Sequence, residues 1–296
     1  KDKAEAIVES YLAGEASGKA VVDILFGKAN PSGHLAETFP IRLEDAPSYL
    51  FYGGELGKAS YAESIFVGYR YYDKKKIDVL FPFGHGLSYT TFSYSNLKVT
   101  STGNNTFSVS VDVENTGNMD GKASVQLYVR NPETGSMIRP VRELRDFAKV
   151  SLKTGEEKTV SFSLPERAFT YFDEETRKFE TESGIYGIEI GDSSRNILLS
   201  HDVEITATKK PGKINADTII SDILADDIGK EALSDVLKSI SLTGGGDSSS
   251  LGEGTDEMMR QMLSSLPLHA IISFSGGKAD MQTVEEIIKK VNSGRC

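Results

Sequence analysis

Between residues 93 and 206 apolar and polar side chains alternate with a period of two, and turn residues repeatedly break the alternation. Phe107, Val109, Val111 and Val113 are interleaved with Ser108, Ser110 and Asp112; Val125, Leu127 and Val129 repeat the pattern, as do Val160, Phe162 and Leu164. A period of two sends every second side chain to one face of a strand, and that face is buried only against another sheet. Asn115-Thr116-Gly117-Asn118 and Lys153-Thr154-Gly155-Glu156 supply turns, Gly184–Ile190 reads as a further strand, and Ile197-Leu198-Leu199 opens the last. About seven short strands at this spacing predict an antiparallel β-sandwich of the immunoglobulin or fibronectin type III-like kind. True immunoglobulin domains carry a Cys-Trp-Cys pattern; this chain has no Trp and one Cys, Cys296, so the fibronectin type III-like form is expected.

The flanking regions have other periods, which makes the chain mainly β with added α. Residues 1–48 read as the C-terminal remnant of an α/β sandwich domain. Ala4, Ile7, Val8, Tyr11 and Leu12 fall at helical spacing, as do Ala20, Val21, Ile24 and Leu25. Gly14 and Gly18 interrupt the pattern, so two short helices are expected, the second stopped by Gly27. The turn Asn30-Pro31-Ser32-Gly33 then leads into a short strand over Leu35–Pro40. Such a strip is too small to fold alone. Residues 49–92 read as an irregular connector crowded with Tyr and Phe, expected to glue domains together or to rim a ligand site. Residues 207–296 read as a small helical extension. It begins at the linker Lys209-Lys210-Pro211-Gly212, and Ile219, Ile220, Ile223, Leu224 and Ile228 have helical spacing. A flexible Gly/Ser/acidic loop is expected over 243–254. Met258, Met259, Met262, Leu263 and Leu266 then form one apolar face, and Val284, Ile287, Ile288 and Val291 another. The three Met read as packing, because thioethers hold only soft metals and His269 lies beyond Pro267.

Composition narrows the function classes. With 33 Lys and Arg against 43 Asp and Glu the net charge is −10, a poor match for nucleic acid or an anionic membrane. No stretch approaches the ~18 apolar residues of a membrane-spanning helix. One cysteine excludes a disulfide framework within the chain and a zinc site built on thiolates. The chain opens Lys1-Asp2-Lys3-Ala4, without Met or a signal pattern, and reads as a piece of something longer with a cytoplasmic setting.

Two long strings go beyond periodicity. One runs from Val22-Asp23-Ile24-Leu25-Phe26-Gly27 through Asn30-Pro31-Ser32-Gly33-His34 to Thr38-Phe39-Pro40. The other is Val67-Gly68-Tyr69-Arg70-Tyr71-Tyr72-Asp73 followed by Phe81-Pro82-Phe83-Gly84-His85-Gly86-Leu87-Ser88-Tyr89-Thr90. With Val125–Val129, Arg139-Pro140, Glu143-Leu144 and Gly191–Arg195 in the sandwich, they resemble the C-terminal half of glycoside hydrolase family 3, the β-glucosidase family, over about residues 4–202. The helical extension is similar to one found on some bacterial members. The resemblance implies a retaining hydrolase acting on β-linked glucosides or oligosaccharides. An N-terminal barrel supplies its Asp nucleophile, and an α/β domain supplies its Glu acid/base upstream of the matched strip. No catalytic residue, cofactor or metal is carried over to this chain, which is expected to scaffold those missing partners and to be inactive alone. A carbohydrate-binding module using Tyr49, Phe51, Tyr52 and Tyr61, or a structural chain docking on a separate catalytic one, is the alternative.

Five residues are candidates for the connector or a substrate rim: Glu63, Tyr69, Arg70, Asp73 and His85. Glu63 stands where the family often has Glu-Gly, with Ser64 departing from that pattern, and is expected to pair with Arg70. Arg70 and Asp73 flank two tyrosines and are expected to pin the connector. His85, between Gly84 and Gly86, reads as a hydrogen-bonding pin, and His34 reads as structural. Glu44, Asp45 and Asp73 lack the Asp-x-Asp-x-Asp-Gly calcium pattern. The carboxylates of Tyr171-Phe172-Asp173-Glu174-Glu175 are expected to be exposed in a hairpin turn, and Asn104-Asn105-Thr106 is a formal glycosylation acceptor.

Overall fold

A computed structural model describes residues 4–133, 137–174, 176–206, 212–224, 227–241 and 262–294. The chain divides into two compact units, residues 1–208 and 209–296. The expected loop at 243–254, together with Met258, Met259, Glu175 and Cys296, lies outside the described residues.

Seven strands of the first unit build the sandwich: β3 (Phe92–Gly103), β4 (Thr106–Asn115), β5 (Gly121–Arg130), β6 (Arg142–Leu152), β7 (Glu157–Leu164), β10 (Gly184–Gly191) and β11 (Ile197–Ile205). One sheet has the order β3-β4-β7 and the other β11-β10-β5-β6, all pairs antiparallel. The alternating residues meet between the sheets. Val109, Val111 and Val113 of β4 face a core that includes Phe162, Leu164, Val125, Leu127, Ile188 and Ile190. Phe169 fills one end of it, edge-on to Phe107 at 5.5 Å and to Tyr186 at 5.6 Å. A short hairpin, β8 (Tyr171–Asp173) with β9 (Lys178–Glu180), follows that end.

β5 departs from simple alternation, since Ala123 to Val129 are buried on both faces. Ser124, Gln126 and Tyr128 are buried outside the core cluster, and the connector covers Gln126 and Tyr128. The connector is not irregular throughout. It contains a helix, α2 (Tyr69–Lys75), and a strand, β2 (Val79–Phe81). Gly68 at φ 54° turns the chain into α2, Lys76 ends it in the left-handed region, and Lys74 and Lys75 suit its C-terminal dipole. β2 pairs with β1 (Phe39–Pro40), which is all that forms of the strand expected over Leu35–Pro40.

At the N-terminal end the second expected helix forms as α1 (Ser17–Leu25), but the first does not. Ile7, Val8, Tyr11 and Leu12 are exposed, and no buried residue lies on α1. Tyr11 lies at φ 46°, outside the helical region, and interrupts the spacing of Ile7, Val8 and Leu12.

The second unit has its own core of Ile214, Ile220, Ile223, Leu233, Leu263, Leu268, Ile271, Val284, Ile287 and Val291. These come from helices Ile220–Ile223, Asp227–Ser241, Ile271–Phe274 and Met281–Gly294 and the turns between them. Asn292 ties its ends together, accepting from Ile214 N at 2.7 Å and donating to Ile214 O at 2.9 Å.

Candidate functional site

The two motif strings meet at the edge of the sandwich. Asn30 Oδ1 accepts from Ser88 Oγ at 2.9 Å and Tyr89 N at 2.8 Å, while its amide donates to Asp120 O at 3.0 Å. Leu35 N donates to His85 O and Gly84 N to Leu35 O, each at 2.8 Å. His34 Nδ1 lies 2.6 Å from Gly84 O, a carbonyl that only accepts, so the ring is protonated at Nδ1. The strip and connector are thus laced by backbone pairs that only a glycine-rich turn allows. Gly84 sits at φ 80°, and a side chain on Gly86 would run into Gly33 O.

The connector is fastened to β5 and β6 through Tyr69. Its ring stacks on Phe83 at 4.9 Å and meets Tyr128 edge-on at 6.1 Å, and its hydroxyl accepts from Leu144 N at 2.8 Å. Gln126 completes the seam, donating to Gly84 O at 3.0 Å and Asp192 O at 2.6 Å and accepting from Tyr128 OH at 2.6 Å.

Two ion pairs flank this seam. Asp73 Oδ1 accepts from Arg195 Nε at 2.9 Å, and Arg195 Nη2 donates to Ile77 O at 2.6 Å. Burial pushes the Asp73 carboxyl up from its ordinary value, with the Arg195 hydrogen bond pulling the other way. Arg70 does not pair with Glu63. Its Nη2 lies 3.6 Å from Glu143 Oε1, and Glu143 Oε2 also meets Arg145 at 2.8 Å and Arg139 at 3.9 Å. Glu189 is similarly bound between Arg130 at 3.1 Å and Arg142 at 2.8 Å. The most enclosed carboxylates of the sheet are therefore held by guanidinium groups.

His85 stacks on Phe81 with ring centres 5.3 Å apart. Burial pushes its imidazole below the ordinary value, His34 adds to this, and Asp192 opposes it. The unfolded chain binds the proton at about pH 6.5, before the folded one does, so this part of the stability is complete above that pH and drains as pH falls toward the lower folded value. The unfolding midpoint is expected to fall on acidification across this window, and His85→Gln to flatten that fall. An identical slope in the variant rejects the assignment.

Glu63 has no hydrogen-bond partner for its Oε2, which is sealed from solvent. It lines a groove of about 350 Å³ with Phe51, Phe66, Tyr71, Lys74 and Ile138. Glu44 and Asp45 do not join Asp73: Asp45 accepts from Arg42 at 2.7 Å, and among the described residues no metal-sized cluster of His, Cys, Asp and Glu is assembled. Asp173 is buried rather than exposed, because Thr176 Oγ1 closes the hairpin onto its Oδ2 at 2.9 Å.

This junction and sandwich recur in known proteins. Residues 1–89 match the model of the glycosyl hydrolase family 3 C-terminal domain, and residues 123–194 match that of the fibronectin type III-like domain. The chain matches the C-terminal portion of family 3 glycoside hydrolases. It is 42% identical over 99% of its length to thermostable β-glucosidase B of Acetivibrio thermocellus, and covers 38% of that protein. It is 39% identical over 97% of its length to the exo-α-(1→6)-L-arabinopyranosidase of Bifidobacterium breve, and covers 37% of it. The crystal structure of a Bifidobacterium adolescentis family 3 β-glucosidase superposes with a TM-score of 0.71 at 40% identity, over 76% of this chain and 33% of that one. The chain thus spans under two fifths of these relatives.

Within this family 3 portion the motif strings are the seam itself, and their polar residues bond mostly to backbone. Asn30, Gln126, Glu143 and Arg195 hold the seam, and the sequence offers them only as members of its motif strings, not as site candidates. The available signal was the polar pair Ser124 and Gln126 in an otherwise apolar strand. No helix among the described residues is long and apolar enough to cross a membrane.

Proposed function

We propose that this chain is the bracing C-terminal portion of a β-glucosidase-type retaining hydrolase, whose nucleophile and acid/base reside in a part of the enzyme outside it. The observation that carries this reading is the doubly buried β5, which joins the connector to the sandwich in one compact unit. Retaining cleavage needs two carboxyl groups about 5–5.5 Å apart across the scissile bond, one to attack carbon and one to move a proton. Glu143 and Glu189 are tied by arginines and Asp73 by Arg195, an arrangement suited to holding elements together. In this reading Tyr69, Arg70, Asp73 and His85 are pins of the connector. Relatives named for a glucoside and for an arabinopyranoside share almost all of this chain at similar identity. Choice of sugar is accordingly assigned mainly to the outside part.

The purified chain is expected to release no nitrophenol from an aryl β-glucoside above blank. Turnover is expected to appear when a separately produced N-terminal portion of the enzyme is added. Turnover by the chain alone that vanishes in Glu63→Gln would overturn the reading, as would failure of the two portions to form a complex.

A further inference from the structure

The connector segment 46–62, ahead of α2, holds large apolar side chains out in solvent. Leu56 is 95% exposed and Tyr52 88%, and Leu50 and Tyr61 are nearly as open. The segment is nevertheless built with hydrogen bonds. Tyr49 N donates to Ala46 O at 3.0 Å and Tyr52 N to Ser48 O at 2.8 Å. Glu55 and Lys58 then exchange both backbone hydrogen bonds, at 2.8 and 2.9 Å, and close a hairpin. The two residues between them, Leu56 and Gly57, have φ 51° and 75°. Positive φ at both central positions is the requirement of a two-residue hairpin turn, met by Asn, Asp or Gly because an ordinary side chain crowds the backbone there. Gly57 fits that rule and Leu56 breaks it. A large apolar side chain sits in a costly backbone conformation and is presented to water at the apex of a closed hairpin. It serves neither the fold nor the solubility of the free chain, and exposed apolar clusters of this kind mark surfaces that a partner buries.

The surroundings say which partner. Glu55 and Lys58 are the only charges between residues 46 and 62, and they are opposite in sign, so the complementary surface is apolar and uncharged. The segment lies within residues 1–89, which match the family 3 C-terminal domain model, so it belongs to the shared part of these enzymes. The chain covers only 38% of β-glucosidase B, which leaves more than half of such an enzyme to supply the recess.

We infer that Leu56, flanked by Leu50, Tyr52 and Tyr61, is a knob that enters an apolar recess of the enzyme's N-terminal portion. The inference rests on the bracing reading above and names where the brace grips. To test it, the complete enzyme carrying this chain is made with p-benzoylphenylalanine in place of Leu56 and irradiated. Cross-linked peptides from the N-terminal portion are expected. Cross-links confined to this chain's own residues, a cross-linked pair of enzyme copies, or no cross-link at all would overturn the inference. Leu56→Asn gives a second measure. In the chain by itself it should raise the urea midpoint, because asparagine accepts the backbone conformation that leucine resists. In the complete enzyme it should shorten the half-life of turnover on heating by about fivefold or more, since the knob no longer fills its recess. A change of the same sign in both proteins would make Leu56 a residue of local importance only and reject the docking role. These results are separable from the function reading. If the complete enzyme hydrolyses an aryl β-glucoside while position 56 captures nothing outside this chain, the knob alone is refuted. If the purified chain hydrolyses it unaided, the bracing reading fails and the knob with it.

Discussion

Gly84→Ala is expected to destabilise the chain by about 4 kcal/mol, far more than an alanine in the same backbone conformation elsewhere. Gly84 sits at φ 80°, where an L-residue costs ~1–2 kcal/mol. Its added methyl would also overlap the carboxamide of Gln126. A flexible side-chain end normally swings aside, but this one is buried and held by Gly84 O, Asp192 O and Tyr128 OH. Moving it breaks three hydrogen bonds at about 1 kcal/mol each, and some of the released groups stay buried. Gly155 is the control. It has φ 73°, and a methyl there meets nothing within 4 Å, so Gly155→Ala should show the backbone cost alone, about 1 kcal/mol. Urea unfolding of the two variants checks this. Equal losses would mean that contact with Gln126 adds nothing. A loss confined to the seam should also expose residues near Tyr69 and Phe83 to protease before the sandwich core opens.

The sandwich was legible because each strand buries one face and states it with period two. β4 and β7 show this directly, with Val109 opposite Phe162 and Val111 opposite Val160. What alternation hides is a second cover. Gln126 occupies an outward position of β5, where polarity ordinarily means solvent, and it is buried against a segment about forty residues away in sequence. The same limit explains the Glu63 and Arg70 pairing that did not form: sequence proximity says nothing of Glu143, which reaches Arg70 from β6. At the N-terminal end the error runs the other way. Ile7, Val8, Tyr11 and Leu12 have the right spacing for a helix, but spacing does not fix the backbone, and Tyr11 at φ 46° leaves the helical region. α2 was missed because its aromatic residues are poor helix formers and its ends are marked by backbone conformation, at Gly68 and Lys76, more than by capping side chains. The Glu63 groove was visible only as one candidate residue, since Lys74 and Ile138 reach it from separate elements.

Arg139→Met is expected to cost about 3 kcal/mol, through the groups it abandons more than through its own lost charge. Arg139 is 5% exposed, in the loop leading to β6. Its Nη1 donates to Phe169 O at 3.3 Å and Tyr186 OH at 2.9 Å, and its Nη2 to Thr170 O at 3.1 Å. The guanidinium also lies over the Tyr186 and Tyr171 rings, 5.6 and 5.7 Å from their centres. Methionine fills much of the volume and removes the desolvation cost of the cation, which offsets part of the loss. Two carbonyl oxygens at the end of the core then lose this donor, at about 1–3 kcal/mol each, whereas Tyr186 keeps its bond to Glu182 O at 3.1 Å. The balance therefore remains destabilising. Arg139→Lys should recover little, because one ammonium cannot reproduce a planar fork serving three acceptors. Arg42, itself exposed and paired with the half-buried Asp45, gives the contrast: Arg42→Met should lower the midpoint far less than Arg139→Met. Thermal unfolding of the three variants decides the matter. If Arg139→Met were as stable as the parent, the guanidinium would be replaceable by packing and the carbonyls would have found other donors. If Arg139→Lys fully restored stability, charge alone would matter and the fork geometry would not.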